Sequence, residues 1–585
     1  MNKTKIVCTL GPATADDKVL RELMKSGMNV ARQNFSHGTH ESHLKVFEQT
    51  KRIREELNLP IASLLDTKGP EVRVKQFENG KITLTDKSVF VLTTAECEGT
   101  EQRVSVTYKE LPEDIEIGAM ILIDDGLIEL KVTDITAVEG GCDITTVVVH
   151  GGPLSDNKSC NFPGKKLSMP YISERDRSDL IFGCETGFDF VAASFVRCAE
   201  DVLEVRKILD DNGGKNIRII SKIESQDGVD NIDEIIRASD GIMVARGDMG
   251  VEISFEELPR IQKELIRKGF SAGKIVITAT QMLDSMMKNP RPTRAETTDV
   301  ANAIYDGTSA IMLSGETAAG AYPVEAVRTM AKIAATTEAN IDYVKRFRHG
   351  SYDMGINVTN AIAHSSVNAS IDLKARAILT VTYSGSTARL LSRFRPEMPI
   401  IGCTPHRKSW RQMNLSWGVI PVICGEETNF DTLLSHAVKR AEEEGHLDNG
   451  NLVVITAGVP LGISGTTNLM KVHVVGDVLV KGDGIGTGTV TAPLVVAVNE
   501  QQALQKFVKG DILVIPETSH SIMNILKSAA GIITEVGGEN SHAAIVGEAL
   551  DIPVIVGAAN ATKILTGGTT VTMDAGKGFV TAIDN

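Results

Sequence analysis

One lysine and two acidic residues follow two successive apolar segments that are typical of β-strands. Lys222 and Glu224 stand two residues apart at the end of the segment 217–223. Alternation along a strand places both side chains on the same face. Asp248 follows the next segment, with Gly247 beside it. Carboxylates from adjacent strands, completed by substrate oxygens, form a site suited to Mg²⁺ or Mn²⁺. The alternative interpretation is a structural ion pair between the lysine and a carboxylate.

A second set of polar residues stands at the ends of two earlier apolar segments. Arg32, Asn34 and Ser36 alternate along the chain and therefore share one face. Asp66 and Thr67 follow the next segment. A guanidinium group matches the geometry of phosphate oxygens. The Asn, Ser and Asp oxygens together suit a weakly hydrated monovalent cation, although the spacing alone does not establish that ion.

The elements that position these residues alternate between short β-branched runs and longer amphipathic stretches. This order is typical of parallel βα units. The predicted strands are 5–9, 30–35, 61–65, 190–193, 217–223, 242–245, 275–279 and 310–313. Eight such units predict an α/β fold of the (β/α)8 TIM-barrel type, in which active sites form at the carboxyl ends of the strands. Helix capping alone would explain one Ser or Asp at each junction, but not the Lys, Arg, Glu and Gln that recur there.

The barrel accounts for only part of the chain. We expect it to comprise residues 1–69 and 171–344. Residues 70–170 alternate in Thr, Val and Ile, and predict a small β-barrel domain inserted at the catalytic face as a lid. Residues 345–475 predict a C-terminal α/β regulatory domain, and residues 476–585 form a third unit that begins in a Gly-rich stretch.

The composition is that of an ordinary globular protein. The chain has 585 residues and a formal net charge of -14, so it has no global positive field to attract nucleic acid. Positive charge for anionic substrates must be concentrated locally or supplied by metal ions. The eight cysteines form no CxxC pair, the amino terminus does not resemble a signal peptide, and no apolar run is long enough for a membrane span. We expect a cytoplasmic protein with no nucleic-acid or membrane partner.

Eight motifs, in order, give the chain a close resemblance to the pyruvate kinases over about residues 1–475. They are KTKIVCTLGP (3–12), NVARQNFSHG (29–38), LDTKGPEVR (65–73), SKIE (221–224), MVARGDMGVE (243–252), ITATQML (277–283), NPRPTRAE (289–296) and MLSGETA (312–318). The resemblance implies conversion of phosphoenolpyruvate and ADP to pyruvate and ATP. It also implies a homotetramer.

The resemblance assigns roles to the polar residues at the strand ends. Glu224 and Asp248 would hold the divalent metal, and Lys222 would stabilise the moving phosphoryl group and the enolate. The implied catalytic residues are Lys222, Arg73, Arg32, Thr280, Ser314 and Glu316. The implied substrate-binding residues are Arg32, Lys222, Gly247, Asp248 and Thr280. Thr280 would help to deliver a proton to the enolate carbon through water, with Ser314 and Glu316 in the relay.

The nucleotide and the potassium ion also have counterparts in the family. The implied nucleotide contacts are Pro12, Asn34, His37, Arg73 and Arg175, and the implied K⁺ ligands are Asn34, Ser36, Asp66 and Thr67. Glu71 is the residue that K⁺-requiring members carry where K⁺-independent members carry Lys, so we expect K⁺ activation. Arg175 is Lys in many relatives. Gln33 replaces a residue that is usually apolar, and alternation predicts that it packs behind the strand rather than in the site.

The two C-terminal units carry motifs of their own. Thr382, Ser384, Gly385, Ser386 and Thr387 match the effector loop of pyruvate kinases, at a helix start that suits a phosphate. The segment 457–467 would complete that pocket. Whether the effector is a sugar phosphate or a nucleoside monophosphate does not follow from these residues.

The tail is similar to the swivelling β/β/α domain of phosphoenolpyruvate synthases and pyruvate phosphate dikinases. His542 stands at the position that is phosphorylated in those enzymes. Glu548 stands where they usually carry Arg, and its charge would repel a phosphohistidine. We therefore expect His542 to be inactive and the domain to have a structural or oligomer-packing role.

Two alternative functions are a dikinase and a catalytically silent binding protein. A dikinase that passes phosphate through His542 would need an ATP-grasp domain, and no segment remains to supply one. A catalytically silent effector-binding or scaffold protein is disfavoured because Lys222, Glu224, Asp248 and Thr280 are all intact.

Overall fold

The structure is a computed structural model that describes residues 2–350, 352, 357–427, 429–459, 467–476 and 478–582. The chain divides into two units. The first comprises Met1–Val367, Thr380–Gly425 and Ala457–Asn468, and the second comprises Asn368–Leu379, Glu426–Thr456 and Leu469–Asn585. No helix of the described residues is long and apolar enough to cross a membrane.

Eight parallel strands close into a barrel, which confirms the predicted TIM-barrel fold. They are β1 (Lys5–Thr9), β2 (Val30–Asn34), β3 (Ala62–Asp66), β4 (Phe190–Ala193), β5 (Arg218–Ile223), β6 (Gly241–Ala245), β7 (Ile275–Ala279) and β8 (Ala310–Leu313). β8 pairs with β1, Lys5 opposite Ala310, which completes the ring. Nearly all strand residues are buried, because the interior and the surrounding helices cover both faces. β3 runs one residue further than predicted, so Asp66 itself is a strand residue.

Eight helices surround the barrel, one after each strand. They are Asp17–Ser26, His40–Glu56, Glu174–Thr186, Ala199–Asp211, Ile232–Ala238, Leu258–Ser271, Arg294–Asp306 and Pro323–Glu338. Thr39, Ser173 and Thr293 form capping boxes at three of the helix starts. These side chains satisfy backbone N–H groups that would otherwise lack partners. The remaining polar residues at the carboxyl ends of the strands are therefore free for chemistry.

The insertion after β3 is a small β domain, as predicted. Its strands are Val72–Arg73, Lys81–Leu84, Val89–Thr93, Arg103–Ser105, Met120–Ile123, Ile128–Val138, Gly141–His150, Gly152–Ser155 and Ser159–Asn161. Seven of them form one sheet, and a bridge between Val74 and Val106 joins the ends of that sheet. The domain has its own apolar core, which includes Phe90, Ile121 and Leu130. An independent core lets the insertion keep its shape beside the barrel.

An α/β region follows the barrel. It has five strands in one sheet, Ala377–Val381, Ile400–Thr404, Val419–Ile423, Leu452–Gly458 and Thr467–Val474. Its helices include Val358–Asp372, Ser386–Ser392, Arg407–Met413 and Phe430–Glu443. This confirms the predicted C-terminal α/β domain. The boundaries proposed at residues 345 and 476 stay predictions.

The tail forms an eight-stranded mixed sheet within the second unit. Its strands are Val478–Lys481, Asp483–Ile485, Thr489–Val496, Ile512–Ile515, Gly531–Thr534, Val554–Val556, Thr570–Asp574 and Phe579–Ala582. The helices are Glu500–Lys506, Met523–Leu526, His542–Leu550 and Ala561–Ile564. Two apolar clusters, one containing Leu513 and one containing Val514, lie on opposite faces of the central strand.

A buried carboxylate at the start of β4 holds the helix Arg407–Met413 against the barrel. Asp189 is fully buried and accepts hydrogen bonds from Arg411 Nη2 at 2.8 Å and from Ser63 N at 2.9 Å. Arg54 Nη1 lies 3.7 Å from the same carboxylate. A buried charge of this kind is tolerated because its partners satisfy both oxygens.

We predict that Asp189→Ala lowers the free energy of unfolding by about 3–5 kcal/mol, because it leaves two guanidinium groups without their carboxylate. Urea unfolding followed by tryptophan fluorescence measures the effect directly, since the two tryptophans of the chain, Trp410 and Trp417, flank Arg411. The control is Asp211→Ala, which removes an exposed carboxylate. A midpoint in Asp189→Ala equal to that of the control would contradict the prediction.

Candidate active site

Lys222 lies at the centre of an ion network at the carboxyl ends of β3, β4 and β5. Its Nζ is 3.0 Å from Glu224 Oε1 and 3.2 Å from Asp66 Oδ1, and it donates a hydrogen bond to Ser194 Oγ at 2.8 Å. Burial alone would lower the pKa of Lys222, but the Asp66 and Glu224 carboxylates raise it above its ordinary value. The surrounding carboxylates therefore favour the ammonium form of Lys222 at the point where the carboxyl ends of β3, β4 and β5 meet.

Glu224 and Asp248 are the residues predicted to bind the divalent metal. Glu224 is fully buried; Oε2 accepts the Phe195 N–H at 2.7 Å, and Oε1 lies 3.0 Å from Lys222 Nζ. Burial raises the pKa of Glu224 to about 8; the Lys222 ammonium opposes this shift and the Asp248 carboxylate adds to it. A buried carboxylate with a second, half-buried carboxylate near enough to raise its pKa fits a divalent cation.

The remaining metal ligands must come from elsewhere. Among the residues that the structure describes, no group of three or more His, Cys, Asp or Glu side chains is arranged to hold a metal ion. Two protein carboxylates completed by substrate oxygens and water are a usual arrangement for Mg²⁺. The donor set thus fits a hard cation that arrives with its substrate.

The predicted K⁺ ligands lie on neighbouring strands. Asn34 and Asp66 are register partners in β2 and β3. Asn34 Oδ1 accepts the Ser36 N–H at 3.1 Å, and Thr67 Oγ1 accepts the Ser194 N–H at 3.1 Å. Their oxygens are hard donors of the kind that alkali cations take.

Asp66 also fixes Arg32. Arg32 Nε donates to Asp66 Oδ2 at 2.6 Å, and Nη1 donates to Thr9 Oγ1 at 2.8 Å. Burial would raise the pKa of Asp66, but Arg32 and Lys222 hold it below its ordinary value. The Asp66 carboxylate therefore orients both cations that the sequence predicted at the phosphate.

Thr280 and its neighbours occupy unusual backbone conformations. Phe195, Thr280 and Gln281 have φ values of 52°, 67° and 52°. Such left-handed conformations are uncommon for residues with large or branched side chains. The conformation of Thr280 lets its hydroxyl accept the Gly247 N–H at 2.8 Å while donating to Ala279 O at 2.6 Å. The end of β7 is thereby tied to the loop that carries Asp248.

Ser314 and Glu316 follow β8. Glu316 is buried, and its carboxylate accepts the Ser314 N–H at 2.7 Å and the Leu283 N–H at 3.0 Å. Ser314 Oγ is buried and has no hydrogen-bond partner among the described residues. An unpaired buried hydroxyl is costly unless water or a ligand satisfies it, so it fits a place in a proton relay.

Arg73 lies on the inserted domain and lines a cavity of about 200 Å³ with Asp125, Asp248 and Glu252. Its Nε and Nη2 donate to Glu71 Oε2 at 2.9 and 2.7 Å, and Nη1 donates to Asn157 O at 2.6 Å. Glu71 is therefore the carboxylate partner of Arg73. This contact gives the Glu71 position a physical link to the predicted phosphate-binding residue.

Three predicted nucleotide contacts line one large cleft. The cleft has a volume of about 1130 Å³ and includes Pro12, Asn34 and His37 in its walls. Arg73 and Arg175 are absent from that lining. Arg175 instead donates to Phe35 O at 2.8 Å and lies 3.9 Å from Asp179.

Sequence reasoning missed several residues of this cleft. Gln33 is buried as expected, but it also lines the cleft, and its Oε1 lies 3.1 Å from His43 Nδ1. This contact with the helix His40–Glu56 agrees with the expected packing of Gln33 behind β2. Lys45, Gln49 and Arg52 of that helix also line the cleft. Their spacing of four and three residues places them on one face of the helix, and this pattern could have predicted that they lie together.

The inserted domain also contributes residues that sequence reasoning did not single out. Asn161 Nδ2 donates to Glu252 Oε1 at 2.8 Å, which joins the insertion to the helix Arg246–Glu252. Asp125 has a φ of 55° at the turn between two strands and lines the cavity near Asp248, whose charge adds to burial in raising the pKa of Asp125. This arrangement fits a lid that covers the strand ends.

The predicted effector loop precedes the helix Ser386–Ser392. Gly385 has a φ of 73°, a conformation that glycine adopts without strain. Ser384 Oγ donates to Ser386 Oγ at 3.1 Å, and the hydroxyls of Thr387 and Thr467 are 2.8 Å apart. Thr382 is buried at the end of its strand. Residues 460–466 of the facing segment lie outside the described residues.

His542 is the first residue of the helix His542–Leu550, and Ser541 caps that helix. Thr518 Oγ1 lies 2.9 Å from His542 Nδ1, which leaves Nε2 as the remaining ring nitrogen for chemistry. Glu548 is exposed on the same helix. The structure thus contains the predicted histidine without the arginine that usually accompanies it.

Comparisons with known proteins agree with this site. The sequence matches the family "Pyruvate kinase, barrel domain" over residues 1–327, "Pyruvate kinase, alpha/beta domain" over 360–473 and "PEP-utilising enzyme, mobile domain" over 507–578. It is 50% identical to a pyruvate kinase of Geobacillus stearothermophilus, covering 99% of this chain and 98% of the relative. It is 48% identical to the enzyme of Sporosarcina psychrophila and 49% identical to that of Bacillus licheniformis, each covering 99% of both chains. With a barrel that carries Lys222 among carboxylates at its strand ends, and relatives of this similarity over their full length, the chain belongs to the pyruvate kinase family.

Proposed function

We propose that this chain transfers the phosphoryl group of phosphoenolpyruvate to ADP at the barrel rim, giving pyruvate and ATP. The observation that carries the proposal is the Lys222 ammonium, held between Asp66 and Glu224. In the reaction the bond between phosphorus and the enol oxygen breaks, and a terminal oxygen of ADP forms the new bond to phosphorus. The enolate left behind takes up one proton at its methylene carbon.

Phosphoryl transfer depends on positioning and charge neutralisation more than on covalent chemistry. Lys222 stabilises the phosphoryl oxygens and then the enolate oxygen. Arg32, oriented by Asp66 and Thr9, binds a phosphate oxygen, and Arg73 grips the phosphate from the lid. Gly247 contributes a backbone approach to the substrate beside Asp248.

Metal ions complete the charge balance. Glu224 and Asp248 hold Mg²⁺ or Mn²⁺, which when bound neutralises the carboxylate and phosphate oxygens of the substrate. Asn34, Ser36, Asp66 and Thr67 hold K⁺. The nucleotide binds in the cleft of Pro12, Asn34 and His37, and would bring a second divalent ion. Arg73 and Arg175, which do not line the cleft, would bind its phosphates from outside it, as the resemblance implies.

The proton reaches the enolate through Thr280 and water. Thr280 holds its hydroxyl beside the Gly247 loop, and the unpaired Ser314 hydroxyl lies next to Glu316 in sequence and structure. The buried Glu316 carboxylate keeps Ser314 in place. These groups form the proposed relay.

We further propose that a phosphorylated effector, a sugar phosphate or a nucleoside monophosphate, binds the loop of Thr382, Ser384, Gly385, Ser386 and Thr387. The resemblance to pyruvate kinases supports this regulation and a homotetrameric assembly. The C-terminal domain takes a structural or oligomer-packing role, because Glu548 stands where a phosphohistidine domain needs positive charge.

We predict that Lys222→Met lowers kcat about 10²–10³-fold, as loss of one preorganised charge does elsewhere. The assay is ADP-dependent pyruvate release from phosphoenolpyruvate with Mg²⁺ and K⁺. Lys207→Met, which removes an exposed lysine, is the matched control, and tryptophan fluorescence checks that both variants are folded. A wild-type chain that releases no ADP-dependent pyruvate would refute the proposed function.

We predict that replacing K⁺ by a bulky organic cation in Na⁺-free buffer slows pyruvate release at least about tenfold, because one stabilising cation is lost. Glu71→Lys supplies a positive charge near Arg73, so its rate should depend less on K⁺. Glu71→Gln is the matched control, since it removes the carboxylate without adding a cation. Activity unchanged without K⁺ would contradict the K⁺ assignment.

We predict that His542 carries no phosphate after incubation with phosphoenolpyruvate. Mass spectrometry of the intact chain at neutral to alkaline pH detects a phosphohistidine before it hydrolyses. His542→Ala should release pyruvate at the wild-type rate. A phosphate on His542 that is absent from His542→Ala would show that the domain is a phosphate carrier.

A further inference from the structure

A second large cavity lies at the end of the barrel opposite the active site. It has a volume of about 630 Å³, and both of its walls belong to the first unit. One wall comes from the amino ends of β5 and β6, where Arg218 and Asp240 lie. The other comes from Tyr383 and Ser384 and from the start of the helix Arg407–Met413.

The cavity concentrates positive charge in an acidic protein. Its lining includes five Arg and Lys side chains and one carboxylate, Asp240. The five cations are Arg206, Lys215, Arg218, Arg407 and Lys408. The chain as a whole has a formal net charge of -14, so this surplus is local. Clustered cations facing a concave space attract anions.

Asp240, the one carboxylate in the lining, already has partners. Asp240 Oδ1 lies 3.2 Å from Arg218 Nη1, and its Oδ2 accepts the Ile219 N–H at 3.0 Å and lies 3.5 Å from Arg206 Nη2. Lys215, Arg407 and Lys408 form no ion pair with any side chain in the described part of the chain. Three ammonium and guanidinium groups therefore remain available to a ligand.

A second guanidinium lies behind this wall. Arg218 Nη2 and Arg389 Nη1 both donate to Ser384 O, at 2.7 and 3.2 Å. Burial lowers the pKa of Arg389 to about 9, the neighbouring Arg218 charge adds to this shift, and Asp240 opposes it. Arg218 pairs with Asp240, whereas Arg389 forms no ion pair with a described side chain. The two neighbouring guanidinium groups are therefore short of negative charge, which an anion in the cavity would supply.

We propose that this cavity binds the phosphate group of a small phosphomonoester through cations that lie outside the effector loop, although Ser384 of that loop contributes to its wall. Arg and Lys are the side chains that recognise phosphate, and the volume suits a ligand of sugar-phosphate or nucleotide size. The hydroxyls of Ser386 and Thr387, which the effector loop would use, do not line it. The inference goes beyond the proposed reaction, because binding here requires no turnover.

The position of Arg218 connects this cavity to the active site. Arg218 is the first residue of β5, and the other end of the same strand leads to Lys222 and Glu224. A phosphate held by Arg218 would therefore contact a residue that donates to Ser384 O and that begins the strand leading to Lys222.

The test is calorimetric titration of the full chain with two probes, ribose 5-phosphate and AMP, without substrates. Lys215→Glu and Arg407→Glu change exposed residues of the cavity, and Lys207→Glu makes the same charge change on an exposed helix residue outside it. We expect at least one probe to bind at two classes of site, of which each cavity variant weakens one about tenfold or more, the worth of one charge-assisted hydrogen bond, and leaves the effector-loop class unchanged. The control should bind as the wild type does. Whichever probe binds identifies the rest of the ligand as sugar or nucleoside.

Two results would overturn the proposal. Equal affinity in the wild type, the control and both cavity variants would mean that the effector loop alone holds the probe, and failure of both probes to bind the wild type would leave the cavity without a phosphomonoester. Hydrogen–deuterium exchange supplies a second measurement: the bound probe should protect peptides covering residues 215–219 and 405–409. Because neither measurement involves catalysis, a negative result is distinct from failure of the kinase assay.

Discussion

The rest of the site depends on the buried ion network of Asp66, Lys222 and Glu224. Removing such charges from water costs several kcal/mol for each ion, and only close, well-oriented partners offset that cost. The closed barrel supplies the orientation, because it fixes β3 beside β4 and β4 beside β5. A shift of any of these strands would leave a buried charge without its partner. The network therefore requires a rigid ring, and the ring in turn presents Lys222 in one position.

The strain at the rim follows from the same requirement. Phe195 and Thr280 have positive φ values, each with a cost of order 1–3 kcal/mol. In that conformation the Phe195 N–H reaches Glu224, and the Thr280 hydroxyl receives the Gly247 N–H. Both hydrogen bonds fix residues beside the proposed metal site. Strained backbone at the strand ends is thus part of how the site is preorganised.

Charge is organised differently at the two ends of the barrel. At the rim, carboxylates and cations nearly balance, and the surplus is negative around Glu224 and Asp248, where a divalent ion fits. At the opposite end Asp189 is fully matched by Arg411 and Arg54, whereas Asp240 is outnumbered by its cationic neighbours. The first carboxylate secures the helix Arg407–Met413, and the second leaves a positive cavity beside it. Both contacts reach β4 and β5, the strands that lead to Ser194 and Lys222.

Much of the fold follows from local patterns. Hydrophobic runs of four to seven residues, each followed by a longer helix, determine the eight βα units, because burial patterns and the side-chain caps that four of the helices carry act within a few residues of sequence. The same patterns locate Lys222, Glu224 and Asp248 at strand ends. They also separate the inserted β domain from the barrel.

Tertiary structure decides what these residues contact. The pairing of Asp66 with Lys222 and the hydrogen bond from Arg218 to Ser384 O both join residues far apart in the chain. No periodicity encodes such contacts, because they depend on barrel closure and on which outer surface each helix covers. The sequence by itself therefore determined which polar residues stand at the strand ends and which rim of the barrel they occupy. Only the folded structure decided their partners, their charge balance and the basic cavity at the other end.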